Sequence, residues 1–88
     1  MTNESRPRPA EQVVFRDLDQ GGVVLHLGSG EYHGLNHAGT LIWGLLDGRR
    51  LDEIVAAVRE RVAESPRDLD GQVRAFVDGL ARRGLITA

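Results

Sequence analysis

The hydrophobic period of this chain changes once, at Asn36, and this change restricts the fold more than any other feature. Before Asn36 the sequence is rich in β-branched residues and turn-forming glycines, a composition typical of short strands. After Asn36 apolar residues recur every three or four positions, which indicates amphipathic helices. This order predicts an α+β domain in which a three-stranded antiparallel sheet is followed by three helices.

Composition limits what such a domain can do. Its 88 residues, 41% of them hydrophobic, suffice for one core but not for a deep cleft between lobes. The chain has no cysteine, which excludes disulfides and thiolate chemistry. Its formal net charge is −2, whereas proteins that hold DNA through its phosphates usually carry an excess of basic residues. No long apolar run is present, so we expect a cytoplasmic protein that does not enter membranes.

The N-terminal residues differ from the rest. Residues 1–10 contain Pro7 and Pro9 and show no apolar periodicity, which predicts a flexible arm. Residues 11–88 are then the folded domain.

The predicted sheet depends on how its hairpin is closed. The expected strands are Val13–Phe15, Val23–Leu27 and Glu31–Leu35, with a turn over residues 17–22 between the first two. Ser29–Gly30, taken as a two-residue hairpin loop, places Leu27 opposite Tyr32 and His26 opposite His33. This register puts both histidines on one face of the sheet and Leu27 with Tyr32 on the other.

The first two helices are predicted from broad apolar stripes. Asn36 is a favourable N-cap for the first helix, which should end at Asp47–Gly48 and bury Trp43, although a ligand-stacking role for Trp43 is the alternative. Arg50 precedes the second helix, where serine or threonine would cap better. The stripes are Ala38, Leu41, Ile42, Leu45 and Leu46 in the first helix, and Leu51, Ile54, Val55, Val58 and Val62 in the second.

The third helix has the clearest ends. Ser65 can cap it, Pro66 suits its first position, and Asp68 completes a capping-box pattern. Gly84 is a natural stop. The core stripe consists of Leu69, Val73, Phe76 and Leu80.

These elements carry a family resemblance through the order of their motifs. The motifs are Val24-Leu25-x-Leu27, Tyr32-x-x-Leu35-Asn36, Ala38, Ile42-Trp43, Asp47-Gly48, Glu53-Ile54, Phe76-x-x-x-Leu80 and Gly84-Leu85-Ile86. Over residues 12–87 the chain resembles the PqqD-like family, the peptide-recognition elements of ribosomal peptide biosynthesis. Residues 18–43 are most similar to the stand-alone recognition proteins of lasso-peptide clusters. The departure from the family pattern is Arg50, at a usual capping position.

The resemblance implies both a fold and a function. The fold is a winged helix-turn-helix with a three-stranded sheet. The function is to bind the leader of a precursor peptide as an added strand, along the third strand and over a groove walled by the third helix. In lasso systems the leader carries a Tyr-x-x-Pro-x-Leu pattern and the bound precursor passes to a separate cysteine protease. The resemblance implies no catalytic activity for the recognition protein itself.

Elementary physics supports this function. The edge strands of a three-stranded meander have unpaired main-chain groups, and Gly34 leaves room for a second backbone. We therefore predict peptide contacts along the hairpin and the third strand. The predicted strand contacts are Gly30, Glu31, Tyr32, His33, Gly34 and Leu35.

The third helix should supply the groove wall. Beside the core residue Val73, its apolar arc widens on the flank of Val77 and Ala81, with Asp70 and Arg74 at the rim. We predict that this flank faces the peptide. The alternative is that Val77 merely completes the core.

Other chemistries receive little support. His26, His33 and His37 lack the number and spacing of metal ligands, and Gly28-x-Gly30 leads into a strand where a dinucleotide loop would open a helix. No acid–base or nucleophile constellation is present, so we expect neither an enzyme nor a cofactor. The rival functions are a winged-helix DNA-binding regulator and a protein that dimerises through its open strand edges.

Overall fold

The structure, a computed structural model, describes residues 1–62, 64 and 66–88. Its strands are β1 (Arg8–Pro9), β2 (Val13–Leu18), β3 (Gly21–His26), β4 (Tyr32–Leu35) and β5 (Ile86–Thr87). Its helices are α1 (His37–Trp43), α2 (Leu51–Arg61) and α3 (Leu69–Arg82). The predicted α+β order is confirmed: β2, β3 and β4 form an antiparallel sheet in sequence order, and three helices follow.

The β3–β4 hairpin differs from the predicted register. Leu25 lies opposite Tyr32, and Val24 lies opposite His33, so the predicted pairing is wrong by two residues. The loop has four residues, 27–30, because the His26 N–H donates to the Glu31 carbonyl at 2.9 Å. A shift of two residues preserves the faces, since side chains alternate with a period of two.

The β2–β3 hairpin is tighter than predicted. β2 continues to Leu18, which pairs with Gly21, so Asp19–Gln20 is the loop and the expected six-residue turn is wrong. Gly21 has a φ of 147°, a conformation that side chains disfavour. A Cβ at Gly21 would also lie 2.2 Å from the Leu35 carbonyl oxygen. Glycine therefore allows β3 and the end of β4 to approach closely.

The start of α1 follows the prediction, and its end does not. The Asn36 side chain accepts a hydrogen bond from the Gly39 N–H at 2.8 Å, which confirms the N-cap. The helix ends at Trp43, and the following Leu45 and Leu46 are buried in a turn. Trp43 is buried and its ring lies 5.9 Å from that of Phe15, so its predicted core role is confirmed.

Main-chain groups replace the missing side-chain cap of α2. Arg50 makes no capping hydrogen bond through its side chain. Instead the Leu51 N–H donates to the Ser5 carbonyl at 2.8 Å and the Asp52 N–H to the Asn3 carbonyl at 3.2 Å. These bonds satisfy two of the donors that a helix start leaves open.

Part of the N-terminal segment that was expected to be a flexible arm also pairs with the end of the chain. β1 forms a two-stranded antiparallel sheet with β5, Arg8 lying opposite Thr87. Pro7 is fully buried. The sequence pattern does not show this arrangement because main-chain bonds, rather than a stripe of apolar side chains, hold the segment in place.

α3 begins later than predicted and ends where predicted. Asp68 is its N-cap residue and makes no side-chain capping bond, so Pro66 precedes the helix and the capping-box prediction is wrong at Asp68. Ser65 lies outside the described residues. At the other end Gly84 has a φ of 74° and the Leu85 N–H donates to the Leu80 carbonyl at 3.0 Å, which confirms the glycine stop.

The core lies between the sheet and the helices. Among the described residues every buried side chain of the core cluster is apolar, from Val24 of β3 to Leu80 of α3 and Leu85 beyond it. No helix in the described ranges is long and apolar enough to cross a membrane.

Candidate functional site

β4 is an edge strand whose outer side has no partner in the described chain. In an antiparallel sheet, the N–H and carbonyl of one residue point toward the strand on one side, and those of the next residue point toward the strand on the other side. The Leu27 N–H donates to Gln12 of the β2 side, and the His26 N–H donates to Glu31 of the β4 side. The same alternation directs the main chain of His33 toward β3. It leaves the N–H and carbonyl of Tyr32 and Gly34 at the open edge.

The face of the sheet is open at this edge. A Cβ built on Gly34 has no neighbour within 4 Å. Tyr32 is 74% exposed, and its side chain leaves the sheet on the face opposite the helices. A second extended chain can therefore approach the main chain of both residues.

An apolar cleft of about 510 Å³ opens at the end of this edge. Three helices and the end of β4 surround it. Its lining residues are Gly34, Leu35, Asn36, Ala38, Gly39, Leu41, Ile42, Val58, Val62, Pro66, Leu69, Gln72, Val73 and Phe76. Because most of these side chains are apolar, the cleft suits apolar groups of a ligand.

Two adjacent small residues, Ala38 and Gly39, line the cleft at the start of α1. A Cβ on Gly39 would lie 3.0 Å from Cζ of Phe76, so the glycine lets the aromatic ring approach the backbone of α1. Ala38, the residue before it, also lines the cleft. The half-buried Phe76 ring thus forms part of a wall between α1 and α3.

The predicted flank of α3 does not line this cleft. Val77 is fully buried, as the core alternative requires, and its contact with a peptide stays a prediction. Asp70 and Arg74 form an ion pair with each other, and neither they nor Ala81 line the cleft. The physical reason is that α3 packs against β5 as well as α2, so more of its apolar arc is buried than the predicted elements require.

The predicted strand residues fall into two groups. Gly34 and Leu35 line the cleft, and so does Val73 of α3. Residues 30–33 lie along the hairpin and the strand that lead to the cleft, and their contacts with a peptide remain predictions.

The contribution of α1 and of the other flank of α3 was not predicted from the sequence. Gln72 is on that flank, and Phe76 was assigned to the core alone. The available signal was the pair Ala38 and Gly39, because small side chains at the start of an otherwise apolar helix indicate close approach by another group.

The site contains no arrangement for proton or metal chemistry among the described residues. No group of three or more histidine, aspartate or glutamate side chains in those ranges could hold a metal ion. The Arg49 side chain, by hydrogen bonding to the Asp47 carboxylate, lowers the pKa of Asp47 to about 2, but neither residue lines the cleft. The site therefore provides main-chain hydrogen-bonding groups and apolar surface, the two requirements for holding an extended peptide.

Comparison with known proteins agrees with this description. Residues 21–86 match the family described as "Coenzyme PQQ synthesis protein D (PqqD)". The solved structure "TbiB1 in Complex with the TbiA(beta) Leader Peptide" is 33% identical in sequence, with a TM-score of 0.81 over 92% of this chain and 95% of that one. "Lasso peptide synthetase B1 complexed with the leader peptide" is 25% identical, with a TM-score of 0.77 over 96% of this chain and 100% of that one. No curated protein matches the chain significantly.

The family match covers more than half of the chain, and the first of these structures matches nearly all of it. The chain belongs to the PqqD family. The resemblance identified from the motif order is thereby confirmed.

Proposed function

We propose that this protein binds the leader segment of a ribosomally made precursor peptide, of the lasso type, and delivers it to a partner cysteine protease. The peptide adds as a strand to β4, and its apolar side chains enter the cleft. The protein contributes binding and no catalysis. The observation that carries this proposal is that the open main-chain edge at Tyr32 and Gly34 meets the apolar cleft at Gly34 and Leu35.

The geometry supplies affinity and selectivity by separate means. Main-chain hydrogen bonds at Tyr32 and Gly34 hold any extended chain, whatever its side chains. Alternate side chains of that added strand point toward the helices. Those near Gly34 reach the cleft, where apolar groups leave water. Peptides with suitably spaced apolar residues are therefore preferred.

The relatives support this proposal. Both similar structures are described as complexes with a leader peptide, and the three helices beside a three-stranded sheet are compatible with the winged helix-turn-helix that the resemblance implies. The cytoplasmic location and the partner protease rest on the sequence resemblance and remain predictions.

The surface of α3 favours a peptide over DNA. Two of the arginines that a DNA reader would present are paired within the helix, Arg74 with Asp70 and Arg82 with Asp78. The net charge of −2 adds no attraction for phosphate.

The test uses a labelled peptide with the Tyr-x-x-Pro-x-Leu pattern and fluorescence anisotropy. Gly34→Pro removes the outward N–H and places a ring at the open edge, so we expect its affinity to fall at least about tenfold. An edge strand tolerates proline because its outward N–H has no ladder partner. Gly34→Ala is the matched comparison: it keeps the N–H and its Cβ meets no neighbour in the free protein, so it should bind more tightly than the proline variant.

Two outcomes would contradict the proposal. Equal binding by the proline and alanine variants would show that the peptide does not add to β4. Absence of peptide binding, together with saturable and salt-dependent binding of a mixed-sequence DNA duplex, would instead identify the regulator.

A further inference from the structure

The flank of α3 that lines the cleft continues beyond it. Gln72 and Phe76 line the cleft, and Gly79 and Arg83 follow on the same side of the helix, because residues three, four and seven apart share a helical face. Arg83 comes two turns after Phe76, about 10 Å further along the helix axis. We call the surface formed by Gln72, Phe76, Gly79 and Arg83 the cleft flank.

α3 runs alongside β4 in the opposite direction. Its first half meets the end of β4, since residues of both line the cleft. Just after its last turn, the Leu85 carbonyl accepts a hydrogen bond from the Ala10 N–H at 3.0 Å. Thr87 of the adjoining β5 shares a surface hollow with His26, which closes the β3–β4 hairpin just before β4 begins. The end of α3 that carries Arg83 therefore lies toward the beginning of β4.

The middle of the cleft flank is open. A Cβ built on Gly79 has no neighbour within 4 Å. Glycine has a lower helix propensity than alanine at an interior position, and no contact within the described part of the chain requires it there. The main chain of a bound peptide can therefore pass close to α3 between Phe76 and Arg83.

Arg83 brings the charge of this flank. It is exposed and forms no ion pair within the described residues. The neighbouring Arg82 is paired with Asp78 at 3.0 Å, and Arg74 is paired with Asp70. An unpaired guanidinium at the end of a strip of apolar and uncharged groups is suited to a carboxylate, which it can bind through two parallel hydrogen bonds.

We propose that Arg83 determines specificity for the leader by binding a carboxylate two to four residues beyond the apolar residue that the cleft holds. An extended strand advances about 3.4 Å per residue and directs alternate side chains to the same face. The second and fourth residues after the anchored one therefore lie about 7 and 14 Å away, on either side of the 10 Å or so that separates Phe76 from Arg83 along the helix.

The direction of the added strand decides on which side of the anchor the carboxylate lies. The sheet of β2, β3 and β4 is antiparallel throughout, and a strand that continues this arrangement runs from the cleft toward the beginning of β4. The carboxylate is then on the C-terminal side of the apolar residue. This inference rests on the proposed function, because it requires the peptide to lie between β4 and α3.

The experiment compares three labelled peptides that share the Tyr-x-x-Pro-x-Leu pattern. They differ only at the second and fourth residues after the leucine, which are both glutamate, both glutamine or both lysine. Fluorescence anisotropy at about 50 mM salt measures their affinities for the wild type, Arg83→Glu and Arg82→Glu. Arg82→Glu is the matched control, because it makes the same change of charge in the same helical turn but about 100° away from Arg83.

We expect the wild type to bind the glutamate peptide at least about threefold more tightly than the lysine peptide. Arg83→Glu should reverse this preference, whereas Arg82→Glu should keep it. The glutamine peptide should bind the wild type and both variants with affinities within about twofold of one another, since its contacts with the cleft and with β4 are unchanged.

Equal wild-type affinities for the three peptides would overturn the inference and leave the proposed function intact. A preference for the lysine peptide would overturn it in favour of Glu31, the carboxylate just before β4. A glutamate preference that Arg83→Glu retains, or that Arg82→Glu reverses as well, would show an effect of overall charge and would also overturn it. Wild-type protein that binds none of the peptides would overturn the proposed function, and this inference with it.

Discussion

Adjacent residues of α3 have different roles. Phe76 is half-buried and lines the cleft, whereas Val77 is fully buried in the core. Successive helical residues are separated by about 100° around the axis, so one can face the cleft while the other faces the core.

We expect Phe76→Ala to reduce peptide affinity at least about tenfold, because the wall of the cleft is lost. The cost in unfolding free energy should be only about 1–3 kcal/mol, since the ring is not fully buried. Anisotropy and urea unfolding measure the two effects.

Val77→Asp should act through stability. An unpaired carboxylate at a fully buried position lowers the free energy of unfolding by roughly 3 kcal/mol or more, a large share of the roughly 5–15 kcal/mol that stabilises a whole domain. Circular dichroism melts should show loss of the helical signal together with loss of peptide binding. Ala75→Asp, at an exposed position of the same helix, is the control and should stay folded. A folded Val77→Asp protein that no longer binds peptide would place Val77 at the binding surface.

The Asp47–Arg49 pair gives a pH-dependent effect of known sign. The Arg49 side chain donates hydrogen bonds of 2.9 and 2.8 Å to the Asp47 carboxylate and lowers its pKa from 3.8 to about 2. A lowered folded-state pKa stabilises the fold above the unfolded value of 3.8, and this contribution is lost as the pH falls toward 2. Asp47→Asn should therefore lower the urea midpoint at about pH 6 and lower it much less near pH 2, where about half of the folded-state carboxylate is protonated. Asp47 is exposed and Arg49 is about one-third exposed, so added salt should shrink the difference.

At the scale of elements, α2 depends on the N-terminal residues. The Asn3 and Ser5 carbonyls accept hydrogen bonds from the first N–H groups of α2. Deleting residues 1–5 should cost about 1–2 kcal/mol and should increase amide exchange at Leu51 and Asp52. Exchange at Val58, inside the helix, should rise less. Asn3→Ala keeps the main-chain carbonyl and should leave exchange unchanged. Equal exchange in the deleted and full-length proteins would show that these bonds do not stabilise the helix.

The elements themselves could be predicted from the sequence where side-chain pattern determines them. The cap at Asn36 and the stop at Gly84 were predicted correctly, because a side-chain oxygen and a left-handed glycine act locally. The register of the β3–β4 hairpin was predicted wrongly. A four-residue loop and a two-residue loop place the same residues on the same faces, so the apolar pattern does not distinguish them. The pairing of β1 with β5 was missed, since main-chain bonding between distant segments leaves no periodic pattern.

The candidate site was predictable only in part, for a related reason. The open edge at Gly34 follows from the order of strands, so it could be inferred from the sequence. The flank of α3 that lines the cleft depends on what else α3 packs against, and β5 was not among the predicted elements. An apolar arc around a helix indicates burial without stating whether a core or a ligand covers it.

At the scale of the whole molecule, the net charge and the apolar lining of the cleft together predict how leader-peptide affinity responds to salt. A protein that neutralises six or more phosphates loses roughly a thousandfold in affinity between about 50 and 200 mM salt. Here the net charge is −2, the cleft is lined mainly by apolar residues, and the open edge offers uncharged main-chain groups. Leader affinity should therefore change less than about threefold over the same range, because neither main-chain hydrogen bonds nor apolar burial is screened by salt.

Anisotropy titrations at several salt concentrations measure this dependence, with the Gly34→Pro protein as the control for binding outside the edge. A steep loss of wild-type affinity with salt would show that charged rim residues such as Arg74 dominate recognition. The added strand would then serve mainly to orient a peptide that electrostatic attraction holds.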